Sequence, residues 1–187
     1  VGSMISMALC PLLIKKLDER KAYILLSVYG FAASVFSFLI GHFWFQSPDN
    51  MVLTVLFYAS LFLIGLQFGA VTLMPMIMTA DCVDYYEYET GKRMEGAAYS
   101  ILTLTIKVCL ALGTAVGLIF VQVSGYYDAL GAGTFTTKTK DIIFFAYTAL
   151  PGVLALLSIF PMFKYDIVGE KKAQISAILS QRRAGKE

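Results

Sequence analysis

The chain has 187 residues, of which 58% are hydrophobic and 15% charged, with fifteen Lys and Arg against thirteen Asp and Glu. Soluble domains carry roughly 25% charged residues, so this composition and a mean hydropathy of +0.70 exclude a soluble globular fold and define an integral membrane protein. No nucleic-acid partner is expected; membrane lipid is.

Five apolar runs predict an all-α membrane protein with spans at about residues 1–14, 22–41, 51–80, 96–123 and 141–163. All but the first reach the roughly 20 residues that a helix needs to cross a bilayer. The first is short, begins at Val1 rather than Met, and lacks a basic n-region or a small-residue cleavage site. It reads as a truncated span, which makes residues 1–163 part of a larger transmembrane bundle; a processed chain is the alternative. Between the first two runs, KKLDERK carries four basic residues, whereas HFWFQSPDN after the second carries none. The third connection (81–93) carries two, the fourth (124–140) two, and the tail from Lys164 six. Counted by the positive-inside rule, the first, third and fifth connections are cytoplasmic. The aromatic residues Phe43, Trp44 and Phe45, with Tyr126 and Tyr127, then belong to the opposite interface.

Within the third run Pro75 permits a bend, and Asp81, Asp84 and Glu87 follow on one side of a helix end. Carboxylates there oppose the helix dipole, so nearby Lys92 and Arg93 are the expected partners, with Gly91 giving the turn its conformational freedom. Glu95 is favourably placed at the next N-terminus. Such a cluster can act as a latch that forms and breaks with conformational state; the alternative is a solvated loop with weak incidental pairs.

From Gly96 to Val123 the one charged residue is Lys107. It lies a dozen residues past Glu95, or about 18 Å into a helix, too deep for easy snorkelling. An intramembrane ammonium costs about 2.5 to 3.5 kcal/mol on insertion scales and marks an ion, proton or substrate path. Tyr99, Thr103, Lys107 and Thr114 share one broad helix face. No acid in the other spans reaches the same depth, so a partner carboxylate is expected in a missing N-terminal bundle; a lysine lining a watery cavity is the bland alternative. Gly113 and Gly117 on the same helix would allow close contact with a neighbour.

The tail KYDIVGEKKAQISAILSQRRAGKE (164–187) places Ile175, Ile178 and Leu179 at helical spacing, which predicts an amphipathic cytoplasmic helix. A solvated or headgroup-bound tail without a specific partner is the other reading. Cys10, Cys82 and Cys109 lack metal-ligand spacing, His42 has no second ligand nearby, and neither a metal site nor a cofactor is expected. Nor do the spans hold the paired acids or activated nucleophile of an enzyme.

The stretch ADCVDYYEYETGKRMEGAAYS (80–100), read as D-x-x-D-Y-x-E-x-x-T-G-x-R-x-E-G-x-x-Y-S and followed by a helix with a lone lysine, resembles the glycoside-pentoside-hexuronide:cation symporters. These are the melibiose-permease-like branch of the major facilitator superfamily. Asp81, Asp84, Tyr85, Glu87, Thr90, Gly91, Arg93, Glu95, Gly96, Tyr99, Ser100, Thr103 and Lys107 carry the resemblance, and the flanking segments agree with it. It implies a twelve-span, two-bundle carrier, of which the chain holds part of span eight through span twelve. Lys107, with Thr103 and Tyr99, then borders the sugar and cation sites, the cation being Na⁺ or H⁺. Asp81, Asp84, Glu87, Arg93 and Glu95 belong to a cytoplasmic gate. Thr72 is implied to border the same sites, near the position where the melibiose carrier has a cavity tryptophan, a departure that puts galactoside specificity in doubt. The resemblance implies sugar or glycoside symport by alternating access in a bacterial-type inner or plasma membrane, with the C-terminus cytoplasmic. A carrier for a lysolipid or drug, or a non-transporting interaction subunit, is the alternative.

Overall fold

A computed structural model describes residues 2–184, the side chain of Ala70 excepted. Val1 and residues 185–187, the outer limits of the predicted first span and tail, lie outside the described residues. The described residues form eight helices and no strand: α1 (Gly2–Gln46), α2 (Met51–Thr90), α3 (Glu95–Val123), α4 (Tyr126–Ala132), α5 (Thr137–Tyr147), α6 (Ala149–Leu157), α7 (Ile159–Met162) and α8 (Gly169–Ala184). Four stretches are long and apolar enough to cross a bilayer: α1, α2, α3 and Thr137–Met162.

The first two predicted spans are the two arms of α1. At Asp18 the backbone leaves the helical region (φ 61°, ψ 160°), a combination that strains any residue with a side chain. The arms fold back on each other there, which brings Cys10 of the first and Ala22 of the second against Met74 of α2 in one buried cluster. The last span is broken for a different reason. Proline has no N–H to give to the carbonyl four residues back. Pro151 and Pro161 therefore leave the carbonyls of Tyr147 and Leu157 without that partner, and α5 and α6 end at those two residues. Pro75 lies within α2 without ending it.

The seam between the second arm of α1, α2 and α6 is built from small side chains. Ser27, Gly30, Ser34, Ser37 and Gly41 recur at helical spacing and are buried. A Cβ at Gly30 would collide with the Gln67 side chain, at Gly41 with the Phe144 ring, and at Gly152 with Ser34. Ser37 and Ser60 join hydroxyl to hydroxyl at 2.9 Å across the seam. Small residues let backbones approach where apolar lipid offers no hydrophobic drive between helices. Near the other end Trp44 stacks on Phe57 at 4.5 Å, beside Phe45 and Phe144, and His42 Nδ1 meets Asp141 Oδ2 at 2.9 Å.

α2 runs on as a helix to Thr90, ten residues past the predicted span boundary at residue 80. It starts on Asn50, whose side-chain oxygen accepts from the N–H of Val52 at 3.0 Å. It ends at Gly91, in the left-handed region (φ 70°), whose N–H donates to the Glu87 carbonyl. The connection to α3 is thus only residues 91–94. α3 has no buried residue, and a Cβ at Gly113 or Gly117 would meet nothing within 4 Å. The close helix contact expected of those glycines is not made among the described residues.

Candidate functional site

Along the first half of α3, Gly96, Tyr99, Ser100, Thr103, Leu104 and Lys107 line an open groove of about 430 Å³. The helical period brings Tyr99, Thr103 and Lys107 onto one stripe. The Thr103 hydroxyl donates to the Tyr99 carbonyl at 2.8 Å and the Ser100 hydroxyl to the Gly96 carbonyl at 2.7 Å. Each hydroxyl oxygen keeps acceptor capacity for a ligand. Tyr99 also reaches α2, donating to the Met76 carbonyl at 3.4 Å. Among the described residues no carboxylate forms an ion pair with Lys107. Thr114, grouped with this stripe by spacing, does not line the groove, because seven residues of a 3.6-residue period carry it about two turns beyond Lys107. Thr72 does not line it either. It is exposed on α2, and its hydroxyl donates to the Phe68 carbonyl of its own helix.

The acidic motif makes two ionic clusters, and both depend on the tail. In the outer one, Arg93 NH1 lies 2.8 Å from Glu87 and 3.1 Å from Asp84, and its Nε donates to Glu95 at 3.0 Å. Arg183 of α8 reaches Glu87 at 2.7 Å and Asp84 at 3.5 Å. The expected partner Arg93 is therefore present, but Lys92 makes no ion pair among the described residues; its backbone N–H bonds to the Thr90 hydroxyl instead. The turn that lays Arg93 back over α2 directs Lys92 elsewhere, and Arg183 occupies the second cationic position.

The inner cluster is more enclosed. Lys172 Nζ lies 2.6 Å from Glu19, just past the α1 turn, and 2.7 Å from Asp81 on α2. Both acid side chains are only 8% exposed. The Tyr165 hydroxyl donates to the other Asp81 oxygen at 3.1 Å. Ile167, Ile175 and Leu179 are buried against Tyr85, Tyr88 and Tyr165, and Arg182 donates to the Tyr88 carbonyl at 3.0 Å. The tail is thus a docked helix, not a solvated or headgroup-bound segment without a partner. A glutamate in the KKLDERK turn and a lysine in the tail are the participants that sequence spacing does not reveal.

The docking has a defined pH window. Burial opposes charge on Lys172, but hydrogen bonds to Asp81 and Glu19 outweigh it and raise its pKa above the ordinary value. Burial, then the Asp81 charge, pushes the Tyr165 phenol up as well. Groups raised on folding stabilise below their unfolded pKa values and lose that contribution as pH rises through the folded ones. Tail protection from protease is therefore expected to hold from neutral pH to about 9 and to fail above about 10.4, the free lysine value. Loss of protection between pH 7 and 9 would contradict this assignment.

Long apolar helices, a lysine in an apolar span and an ionic network at one end define an all-α, multi-pass membrane protein. Residues 1–169 match the family model described as MFS/sugar transport protein, and the chain belongs to that family. The chain is 27% identical over 194 residues to an uncharacterized symporter, YjmB, of Bacillus subtilis (strain 168), covering 97% of this chain and 37% of the relative. It is 23% identical over 186 residues to a glucuronide carrier protein homolog of Escherichia coli (strain K12), covering 98% of this chain and 37% of that protein. To a putative sulfoquinovose importer of the same organism it is 26% identical over 184 residues, with 96% and 36% covered. The chain spans little more than a third of the length of these relatives. Their names are those of symporters, carriers and importers, not enzymes. No solved structure matches.

Proposed function

We propose that the chain forms part of a secondary active transporter that moves a sugar bearing an anionic group, coupled to Na⁺ or H⁺, by alternating access. Lys107 is the observation that carries this reading. A lysine in an apolar helix, on a stripe with Tyr99 and Thr103 and without an acid partner among the described residues, needs a counter-charge. A substrate carboxylate or sulfonate supplies one, and so does an acid of a facing bundle that also binds the cation. Glucuronides and sulfoquinovose, in the names of two relatives, both carry such a group. The hydroxyls of Thr103 and Tyr99 suit sugar hydroxyls about one and two turns away. Asp81, Asp84, Glu87, Arg93 and Glu95, with the tail, act in this reading as the cytoplasmic gate.

Uptake by the whole protein tests it. Vesicles loaded with an imposed Na⁺ or H⁺ gradient should accumulate a labelled acidic sugar above its external concentration and lose it when the gradient is collapsed. Equal uptake with and without either gradient would reject coupling, and preference for neutral sugars would reject the anionic class.

A further inference from the structure

We propose that the groove between the two arms of α1 binds an acyl chain of an anionic phospholipid, with Lys16 at its headgroup. The proposal stands apart from transport and concerns a different face of the bundle. The groove, about 550 Å³, is walled by Leu9, Leu13, Leu25, Leu26 and Leu66, and Lys16 is the one charged residue that lines it. Its walls stay accessible, with Leu9 53% and Leu25 50% exposed. From Ser6 to Lys16 the helix rises about 15 Å, half of a hydrocarbon core of about 30 Å. The groove thus has the depth of one leaflet, and its single cation stands where a chain meets its headgroup.

The charge of the turn favours an anionic headgroup over a zwitterionic one. Lys15, Lys16, Arg20 and Lys21 face Asp18 and Glu19 in the same seven-residue turn. Glu19 is enclosed against Lys172 at 2.6 Å, an ammonium it shares with Asp81 at 2.7 Å, so the turn carries four cations against two carboxylates, a net charge of +2. Arg20 lies over the Phe163 ring at 5.9 Å, on the side of the last span. Lys15, Lys16 and Lys21 are exposed and make no ion pair among the described residues. Basic residues between helices at a leaflet surface attract acidic headgroups.

The test is native mass spectrometry of the whole protein in detergent titrated with phosphatidylglycerol and with phosphatidylcholine. Wild type should retain phosphatidylglycerol preferentially. K16Q should cut that preference about fivefold, the effect of one lysine charge near a membrane surface, while K16R keeps it. L25W, which fills the groove from the second arm, should lower retention of both lipids. Lys16 is exposed, so loss through misfolding is checked by the thermal unfolding of K16Q in phosphatidylcholine alone, which should match wild type. Equal retention of the two lipids by wild type would overturn the proposal. So would an unchanged preference in K16Q, or full retention by a folded L25W, which would put the lipid elsewhere.

Discussion

Lys107→Ala in the whole protein is expected to leave membrane insertion and folding intact and to lower concentrative uptake by about 10- to 100-fold. The magnitude follows from losing one hydrogen bond between charged partners, about 1.5 to 3 kcal/mol, at a site where the substrate or cation must be held. Folding should be spared because Lys107 makes no ion pair among the described residues and α3 has no buried residue there. Removing an ammonium from an apolar span should ease insertion. Lys107→Arg keeps the charge but replaces a compact ammonium with a planar fork. It should retain binding of an acidic sugar better than Lys107→Ala while still slowing transport. Normal accumulation by the alanine variant would remove Lys107 from the site. Lost uptake accompanied by lost insertion would instead make it a residue of assembly, and quantifying the protein in the membrane separates the two.

Lys107 is legible in the sequence because a single charge among apolar residues is a local signal. So are the spans themselves, each a continuous run. Their true ends are not, because hydropathy reports where apolar side chains stop and not where backbone hydrogen bonding stops. α2 continues through Asp81, Asp84 and Glu87 because the charges on that face are met by Arg93 and the tail. The partners of the inner cluster are still less accessible to sequence reasoning. Glu19 and Lys172 are 153 residues apart, and nearby Lys92 and Arg93 offered a simpler pairing. The small-residue seam did leave a signal, in Ser27, Gly30, Ser34, Ser37 and Gly41, but the hydrophobicity of the same segment hides it. The break between the two arms is marked by the charged run KKLDERK, but its place at Asp18 is not, since a residue that strains the left-handed region gives no sign of being used there.

The inner cluster supplies the second large effect. Lys172→Met should free the tail helix, with loss of protease protection between residues 164 and 184 and destabilisation of about 2 kcal/mol. That value lies between exposed ion pairs, worth under about 1 kcal/mol, and the 3 to 5 kcal/mol that follows loss of one partner from a fully buried pair. The intermediate position reflects the asymmetry of the site: Lys172 is 36% exposed, while Glu19 and Asp81 are each 8% exposed. Without the ammonium two enclosed carboxylates repel each other across the same space. Methionine keeps much of the aliphatic stem and its packing, so the change isolates charge. Arg183→Met, at a side chain 53% exposed, should cost less than half as much. The origin of the effect is testable by neutralising the acids as well. If stranded carboxylates dominate, Glu19→Gln with Asp81→Asn should recover most of the stability lost in Lys172→Met, because burying neutral amides that can hydrogen-bond to each other costs far less than burying unpaired charge. Thermal unfolding and limited proteolysis of the four proteins form the cycle. Additive losses would show that the cost of Lys172→Met does not come from the stranded carboxylates, and unchanged protection in Lys172→Met would show that Ile167, Ile175 and Leu179 dock the helix unaided.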